Sequence, residues 1–261
     1  MKMGIATFTG IFTTMEKWHT LHAMRRIQRT SAPLIIAHRG ASTDAPENTL
    51  AAFRLAIAQG ADGLECDLRM SVDGVIVISH DDSLARTHDR PLRIAEATAA
   101  ELAARNVPTL ADTLATVRGK LSPINLELKE PIPPSTLAAT IGAARDGLVL
   151  SSFDTEIIKA TRAALPELPF WLLTVHGTNV AITEAQDLGC VGINVWHRTA
   201  TPRFIAHAGR AGFPVYVWTL DDPRRAGILA GRGVVGITTN VPGQLRALFA
   251  TATSAPAEVT G

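Results

Sequence analysis

Short apolar runs alternate with amphipathic stretches along most of the chain, beginning at Leu34. The runs at 34–38, 62–68, 123–128, 147–151, 169–174, 191–195, 214–219 and 234–238 read as strands. Helical patterns follow at 49–59, 109–117, 135–145, 155–164, 182–188, 201–208, 223–230 and 244–249; the first of them carries Leu50, Phe53, Leu55 and Ile57. A short apolar strand followed by an amphipathic helix is the repeating unit of a parallel sheet covered on both faces. Eight such units predict a TIM (β/α)8 barrel in the α/β class, because an open doubly wound sheet usually has fewer.

The boundaries carry chemistry that agrees with this count. Asn48 and Asp154 are expected to cap helix starts, Pro134 and Pro223 suit first helical positions, and Gly60, Gly189 and Gly231 are expected as C-terminal stops. One segment breaks the alternation: 70–79 reads as a turn at Val72-Asp73-Gly74 followed by VIVIS, a strand folding back antiparallel on the second. The stretch 82–106 then adds a small insertion, so any cap over a site is small.

Strand parity places the ionisable residues. Side chains alternate faces, so Glu65 and Asp67 point one way and Cys66 the other, toward the helices. In INLELK, Glu127 and Lys129 share a face, with Leu126 and Leu128 opposite. Both pairs lie at the C-terminal ends of their strands, the rim on which barrel enzymes carry their chemistry. Three carboxylates converging there repel unless a divalent cation lies between them, and oxygen ligands suit Mg²⁺ or Ca²⁺, with Mn²⁺ as a further option. The alternative is an ion-pair network with Arg39 and Lys129. A turn centred on 72–73 or 73–74 brings residue 80 opposite residue 65 or 67, which puts His80 beside the carboxylates, and His38 arrives at the same rim from the first strand. Two flanking imidazoles suit one general base and one general acid. Arg39 and Lys129 beside a metal call for an anionic ligand, and a phosphodiester fits.

Other residues have plainer readings. Asn48 and Thr49 read as a capping segment, and Glu47 as a group that orients His38 or Arg39 or reaches the metal. Trp218 and Phe153 read either as an apolar wall of the pocket or as packed core aromatics. His19, His22, His88, His176, His197 and His207 have no ligand-like spacing and read as surface or loop residues.

Composition narrows the function classes. Hydrophobic residues make up 46% of the chain and charged residues 19%, which supplies a large core and excludes a disordered chain. A net charge of +1 gives no basic stripe for nucleic acid. No apolar run approaches the roughly 20 residues of a membrane span. Cys66 and Cys190 each sit inside an apolar run, as expected of two buried thiols. Residues 1–32 read as an N-terminal extension, with one early Lys, an apolar run broken by threonines and no clean small-residue cleavage site. The expected location is therefore cytoplasmic, with export through that run as the alternative. Residues 33–250 form the expected barrel domain and 251–261 a C-terminal tail.

The motifs HRG at 38–40, PENT at 46–49, E-x-D at 65–67, DG at 73–74 followed by HD at 80–81, E-x-K at 127–129, SSFD at 151–154, WT at 218–219 and GITTNVP at 236–242 appear in this order. Together they resemble the glycerophosphodiester phosphodiesterase family, of the phosphatidylinositol-phospholipase-C-like superfamily, over residues 34–249. The resemblance implies a metal-dependent hydrolase that cleaves a small-molecule glycerophosphodiester into glycerol 3-phosphate and an alcohol. It also implies that Glu65, Asp67 and Glu127 are metal ligands, that His38 and His80 are the acid/base pair and that Arg39 and Lys129 bind phosphate. The chain departs from the family pattern at Asn240, where an acidic residue is common, at Val235, where Asp is frequent, and at Asp221, where Asn is common. These departures bear on substrate preference. The competing readings are a lysophospholipase D or sphingomyelinase D-like lipid phosphodiesterase and a non-catalytic barrel that binds phosphorylated ligands.

Overall fold

A computed structural model describes residues 32–87 and 91–253. The expected extension up to residue 31, the tail beyond 253, and His19, His22 and His88 lie outside the described residues. In chain order the elements are β1 (Leu34–His38), α1 (Leu50–Ala58), β2 (Gly63–Met70), β3 (Ile76–Ile78), α2 (Ala99–Ala103), α3 (Leu110–Val117), β4 (Ile124–Leu128), α4 (Pro134–Ile141), β5 (Leu148–Ser152) and α5 (Thr155–Ala164). They continue with β6 (Phe170–Thr174), α6 (Asn179–Asp187), β7 (Gly192–Trp196), α7 (Pro202–Arg210), β8 (Val215–Trp218), α8 (Pro223–Gly231), β9 (Gly236–Thr239) and α9 (Pro242–Thr253). The sheet runs β1-β9-β8-β7-β6-β5-β4-β2, and β1 pairs with β2 to close it. All these pairings are parallel, whereas β3 lies antiparallel on the outer end of β2. The fold is the expected TIM barrel, with one extra strand.

The barrel has two interiors. Ile35, Ala37, Leu64, Cys66, Leu126, Leu150, Leu172, Ile193, Val217 and Ile237 face outward and pack against the helices in one continuous apolar layer. The alternate residues fill the lumen. Trp171 and Tyr216 are fully buried there and stacked with ring centroids 3.9 Å apart. Strand glycines make the room: a Cβ on Gly192 would meet Trp171 at 2.9 Å, and one on Gly236 would meet Tyr216 at 2.6 Å. Large residues facing small ones is how a narrow barrel fills its interior. Cys66 and Cys190 are free buried thiols, and burial pushes the Cys190 thiol up to about 12.

Each expected strand and helix is present, its ends moved by about one turn at most, and some boundary assignments change. The cap of α1 is Thr49, whose hydroxyl accepts from the Ala52 N–H, not Asn48, which turns left-handed (φ 57°) ahead of it. Asp154 caps α5 as expected, accepting from the Glu156 and Ile157 N–H groups. Gly231 lies inside α8, and the left-handed residue after that helix is Gly233. The insertion contains α2, closed by a capping box between Thr98 and Glu101 that the T-x-x-E spacing announces.

The hairpin register also differs from expectation. The Ser71 N–H bonds to the Val75 carbonyl at 3.0 Å, and the Ser71 hydroxyl bonds to Asp73 Oδ1 at 2.6 Å, so the turn is centred on Asp73 itself. Leu68 then pairs with Ile78, which puts residue 80 level with Cys66 and not with 65 or 67. His80 reaches the rim because the ladder ends before it. The Arg69 guanidinium holds the His80 carbonyl at 2.9 and 3.0 Å from that point.

The end of β1 depends on Gly40. Arg39 and Gly40 are both left-handed (φ 56° and 89°), and a Cβ on Gly40 would lie 2.6 Å from the Ala52 Cβ and 2.7 Å from its carbonyl carbon. Gly40→Ala is expected to cost on the order of 2 kcal/mol or more, from strain and overpacking together. A urea denaturation series measures it, and an unchanged midpoint would show that the loop yields freely.

Candidate active site

At the C-terminal rim, β2 and β4 run side by side with Glu65 opposite Asn125 and Asp67 opposite Glu127. Parity turns these side chains inward, and one carboxylate oxygen from each of Glu65, Asp67 and Glu127 lies within 4.8 Å of the others. All three residues are buried, Asp67 completely. Burial and the charges of Asp67 and Glu127 raise the Glu65 carboxyl well above the usual carboxylate range. Burial and the Asp67 charge raise Glu127 to about 7. Asp67 goes the other way: burial pushes it up, but Arg39, Lys129 and the Asn48 hydrogen bond outweigh that and lower it.

The rest of the rim compensates these charges. The Arg39 Nε lies 3.1 Å from Asp67 Oδ2, and its Nη1 donates to Glu47 Oε1 at 3.0 Å. Lys129 Nζ donates to Glu127 Oε1 at 2.7 Å and stands 3.6 Å from Asp67 Oδ1. The Asn48 amide donates to Asp67 Oδ2 at 2.8 Å, which explains its left-handed backbone: the turn aims the amide into the site and leaves Thr49 to cap the helix. The Arg39 N–H donates to Glu65 Oε2 at 3.2 Å. Glu47 binds Arg39 and also Arg86, which reaches on to Asp81. Of the roles open to it, Glu47 orients Arg39.

The ion pairs do not satisfy every oxygen. Among the described residues, Glu65 Oε1 and Asp67 Oδ1 are buried and accept no hydrogen bond. Buried carboxylate oxygens with free lone pairs, in a cluster whose members repel one another, fit the ligand set of a hard divalent cation. The acidic triad is able to hold a metal ion.

Two imidazoles flank it. His38 Nε2 is 3.8 Å from Glu65 Oε2, and its Nδ1 is 2.7 Å from Asn240 Oδ1. Burial, with the Arg39 charge behind it, pushes the His38 imidazole down to about 4. His80 Nδ1 contacts Asp81 Oδ1 at 2.6 Å. His80 also borders a cavity of about 420 Å³ lined by Arg69, Asp81, Arg86 and Lys129 among others. A larger cavity, about 740 Å³, lies between the start of α1 and the insertion; it touches His80 but none of the three carboxylates. Phe153, just past β5, and Trp218, at the end of β8, meet edge to face at 5.2 Å, with Phe153 exposed and Trp218 donating to the Asn194 carbonyl. His197 accepts from Arg225 and His207 contacts Asn179, and neither belongs to the acidic cluster.

Sequence reasoning missed Asp81, Arg86, Asp221 and Ser42 as parts of this site. Asp81 was signalled by the HD pair and Asp221 by its departure from the family pattern. Arg86 and Ser42 carried no signal, because their contacts run between loops.

A parallel barrel with a cation-ready acidic centre between two histidines is the architecture of a metal-dependent hydrolase. The chain belongs to the glycerophosphoryl diester phosphodiesterase family, whose model matches residues 38–244. The glycerophosphodiester phosphodiesterase of Caldanaerobacter subterraneus subsp. tengcongensis is 27% identical over 229 residues, covering 80% of this chain and 94% of the relative. Among solved structures, a phosphodiesterase of Oleispira antarctica in complex with the product sn-glycerol-3-phosphate superposes with a TM-score of 0.78 at 27% identity, over 84% of this chain and 97% of that one. The glycerophosphodiester phosphodiesterase of Thermotoga maritima gives 0.75 at 26% identity, over 84% and 99%. Among the described residues, no helix is long and apolar enough to cross a membrane.

Asn48→Gly removes the amide that orients Asp67 while keeping the left-handed turn that leads into the Thr49 cap. Calorimetric titration is expected to show Mg²⁺ or Ca²⁺ binding weakened by at least about tenfold. Unchanged affinity would mean that Asn48 serves only the loop turn.

Proposed function

We propose that this chain hydrolyses glycerophosphodiesters to glycerol 3-phosphate and an alcohol, using Glu65, Asp67 and Glu127 to hold one divalent cation. The observation that carries this reading is the buried carboxylate triad with two imidazoles on its flanks. A barrel that only bound a phosphorylated ligand has no use for two proton-transfer groups beside a metal. Family membership and the glycerol 3-phosphate held by the Oleispira protein support the substrate class. An all-oxygen ligand set suits Mg²⁺ or Ca²⁺, with Mn²⁺ as a further option. When bound, such an ion supplies Lewis-acid polarisation of the phosphoryl oxygens.

The chain's own residues do the rest. Arg39 and Lys129, now paired with carboxylates, bind the phosphoryl oxygens and neutralise charge developing on them. His38 presents Nε2 toward the triad and removes a proton from the nucleophile. His80 rests against the Asp81 carboxylate, a counter-ion for an imidazolium, and delivers a proton to the departing alkoxide. The cationic cavity beside His80 and Lys129 takes the phosphate ester, and Phe153 with Trp218 forms the apolar wall for the rest of the substrate.

Purified protein is expected to release glycerol 3-phosphate from a panel of glycerophosphodiesters when Mg²⁺, Ca²⁺ or Mn²⁺ is supplied, and to stop when EDTA removes the ion. Release unaffected by EDTA would remove the metal from the reading, and no release from any head group would remove the substrate class. His38→Ala and His80→Ala should each lower kcat by at least about a hundredfold. Near-wild-type turnover in either variant would sink that residue's assignment.

A further inference from the structure

Two of the three departures from the family pattern, Asp221 and Asn240, are bonded to each other and, through Asn240, to His38. Asp221 follows β8 and Asn240 follows β9 at the same rim. Asp221 Oδ1 accepts from the Thr239 hydroxyl at 2.9 Å and from the Asn240 backbone N–H at 2.8 Å, and its Oδ2 accepts from the Asn240 side-chain amide at 2.7 Å. An ionised carboxylate only accepts hydrogen bonds, so the Asn240 amide is turned with its nitrogen toward Asp221 and its oxygen away. That oxygen meets His38 Nδ1 at 2.7 Å and the Ser42 hydroxyl at 2.8 Å. A carbonyl oxygen also only accepts, so each contact needs a donor; the Ser42 hydroxyl, which also lies 2.8 Å from the His38 carbonyl, has one proton for the two acceptors. The contact with His38 is therefore a hydrogen bond only when Nδ1 carries the ring proton. In the neutral ring this leaves the lone pair on Nε2, the atom that faces Glu65.

We propose that Asp221 and Asn240 act as a positioning pair: Asp221 fixes which way the Asn240 amide points, and Asn240 fixes His38 as the Nδ1-protonated tautomer, with Nε2 free to take a proton. The catalytic consequence rests on the reading of His38 as the general base; the tautomer itself does not. Neither residue touches the carboxylate triad, so the pair acts only through the ring. The polarity of the relay decides its function. An asparagine in place of Asp221 brings its own N–H donors, lets the Asn240 amide turn over, and allows His38 to carry its proton on Nε2, where it cannot act as a base.

Long-range ¹H–¹⁵N correlation spectra of ¹⁵N-histidine-labelled protein test this, with the His38 signals assigned from their loss in His38→Gln. In the wild type at pH 7.5, Nδ1 is expected to resonate as a protonated and Nε2 as an unprotonated ring nitrogen. An Nε2-protonated ring in the wild type overturns the proposal without any variant. Asp221→Asn and Asn240→Ala are expected to shift the ring toward the other tautomer and to lower kcat at least about tenfold, while KM stays within about twofold. The double exchange Asp221→Asn with Asn240→Asp restores the donor–acceptor polarity, and is expected to recover the tautomer and bring kcat within about threefold of wild type. A tautomer unmoved in both single variants, or a folded double variant no better than the singles, assigns the pair a merely structural role. If the wild type releases no glycerol 3-phosphate, the functional reading fails, and the spectra still decide the tautomer.

Discussion

The crowding of three carboxyl groups into the mouth of a narrow barrel sets the terms for everything around it. Adjacent parallel strands with side-chain alternation leave Glu65, Asp67 and Glu127 no other direction to point. Buried like charges are costly, and a protein that keeps them must supply counter-charge and donors nearby. Here the supply comes from segments that are themselves under constraint. Arg39 and Asn48 adopt left-handed backbone to deliver a guanidinium, a main-chain N–H and an amide to the same two carboxylates. Such strain persists only where surrounding contacts over-determine it. From Arg39 the compensation spreads through Glu47 and Arg86 to Asp81, and so to His80. The loops carrying the two histidines are thus joined by one chain of ion pairs that begins at the triad.

The barrel and the heart of this site were legible in the sequence because both follow from short-range periodicity. Alternation along two strands is enough to bring Glu65, Asp67, Glu127 and Lys129 to one face, and strand–helix repetition is enough to close the sheet. Geometry set by single turns was harder to read. The hairpin turn was expected between two residues and is centred on one, Asp73, which shifts every pairing by one position. Propensity alone favours a cap at Asn48, but a buried carboxylate 19 positions away claims that side chain and the cap moves to Thr49. Contacts between loops were not legible at all. The bond between His38 and Asn240 spans 202 positions, and no local pattern encodes it.

The two flanking imidazoles receive unlike partners. His80 leans on a carboxylate that an arginine also holds, whereas His38 leans on an amide whose charge lies one residue further out, on Asp221. Similar rings in one site thus rest on different hydrogen-bond partners, a carboxylate for one and an amide for the other. Behind His38 stand Asn240 and Asp221, which depart from the family pattern, whereas Asp81 behind His80 belongs to the HD pair that keeps to it.

The aromatic stack inside the barrel has a bearing on traffic through the site. With Trp171 against Tyr216 and strand glycines shaped around both, the barrel axis below the triad is filled with side chains. Among the described residues, the cavity beside His80 and Lys129 opens on the rim, so a ligand at the carboxylates exchanges from that side. On the reading that Arg39 and Lys129 bind the phosphoryl group, a charged product held by them blocks the next arrival for as long as it stays, and its dwell time then belongs to the turnover cycle as much as bond cleavage does.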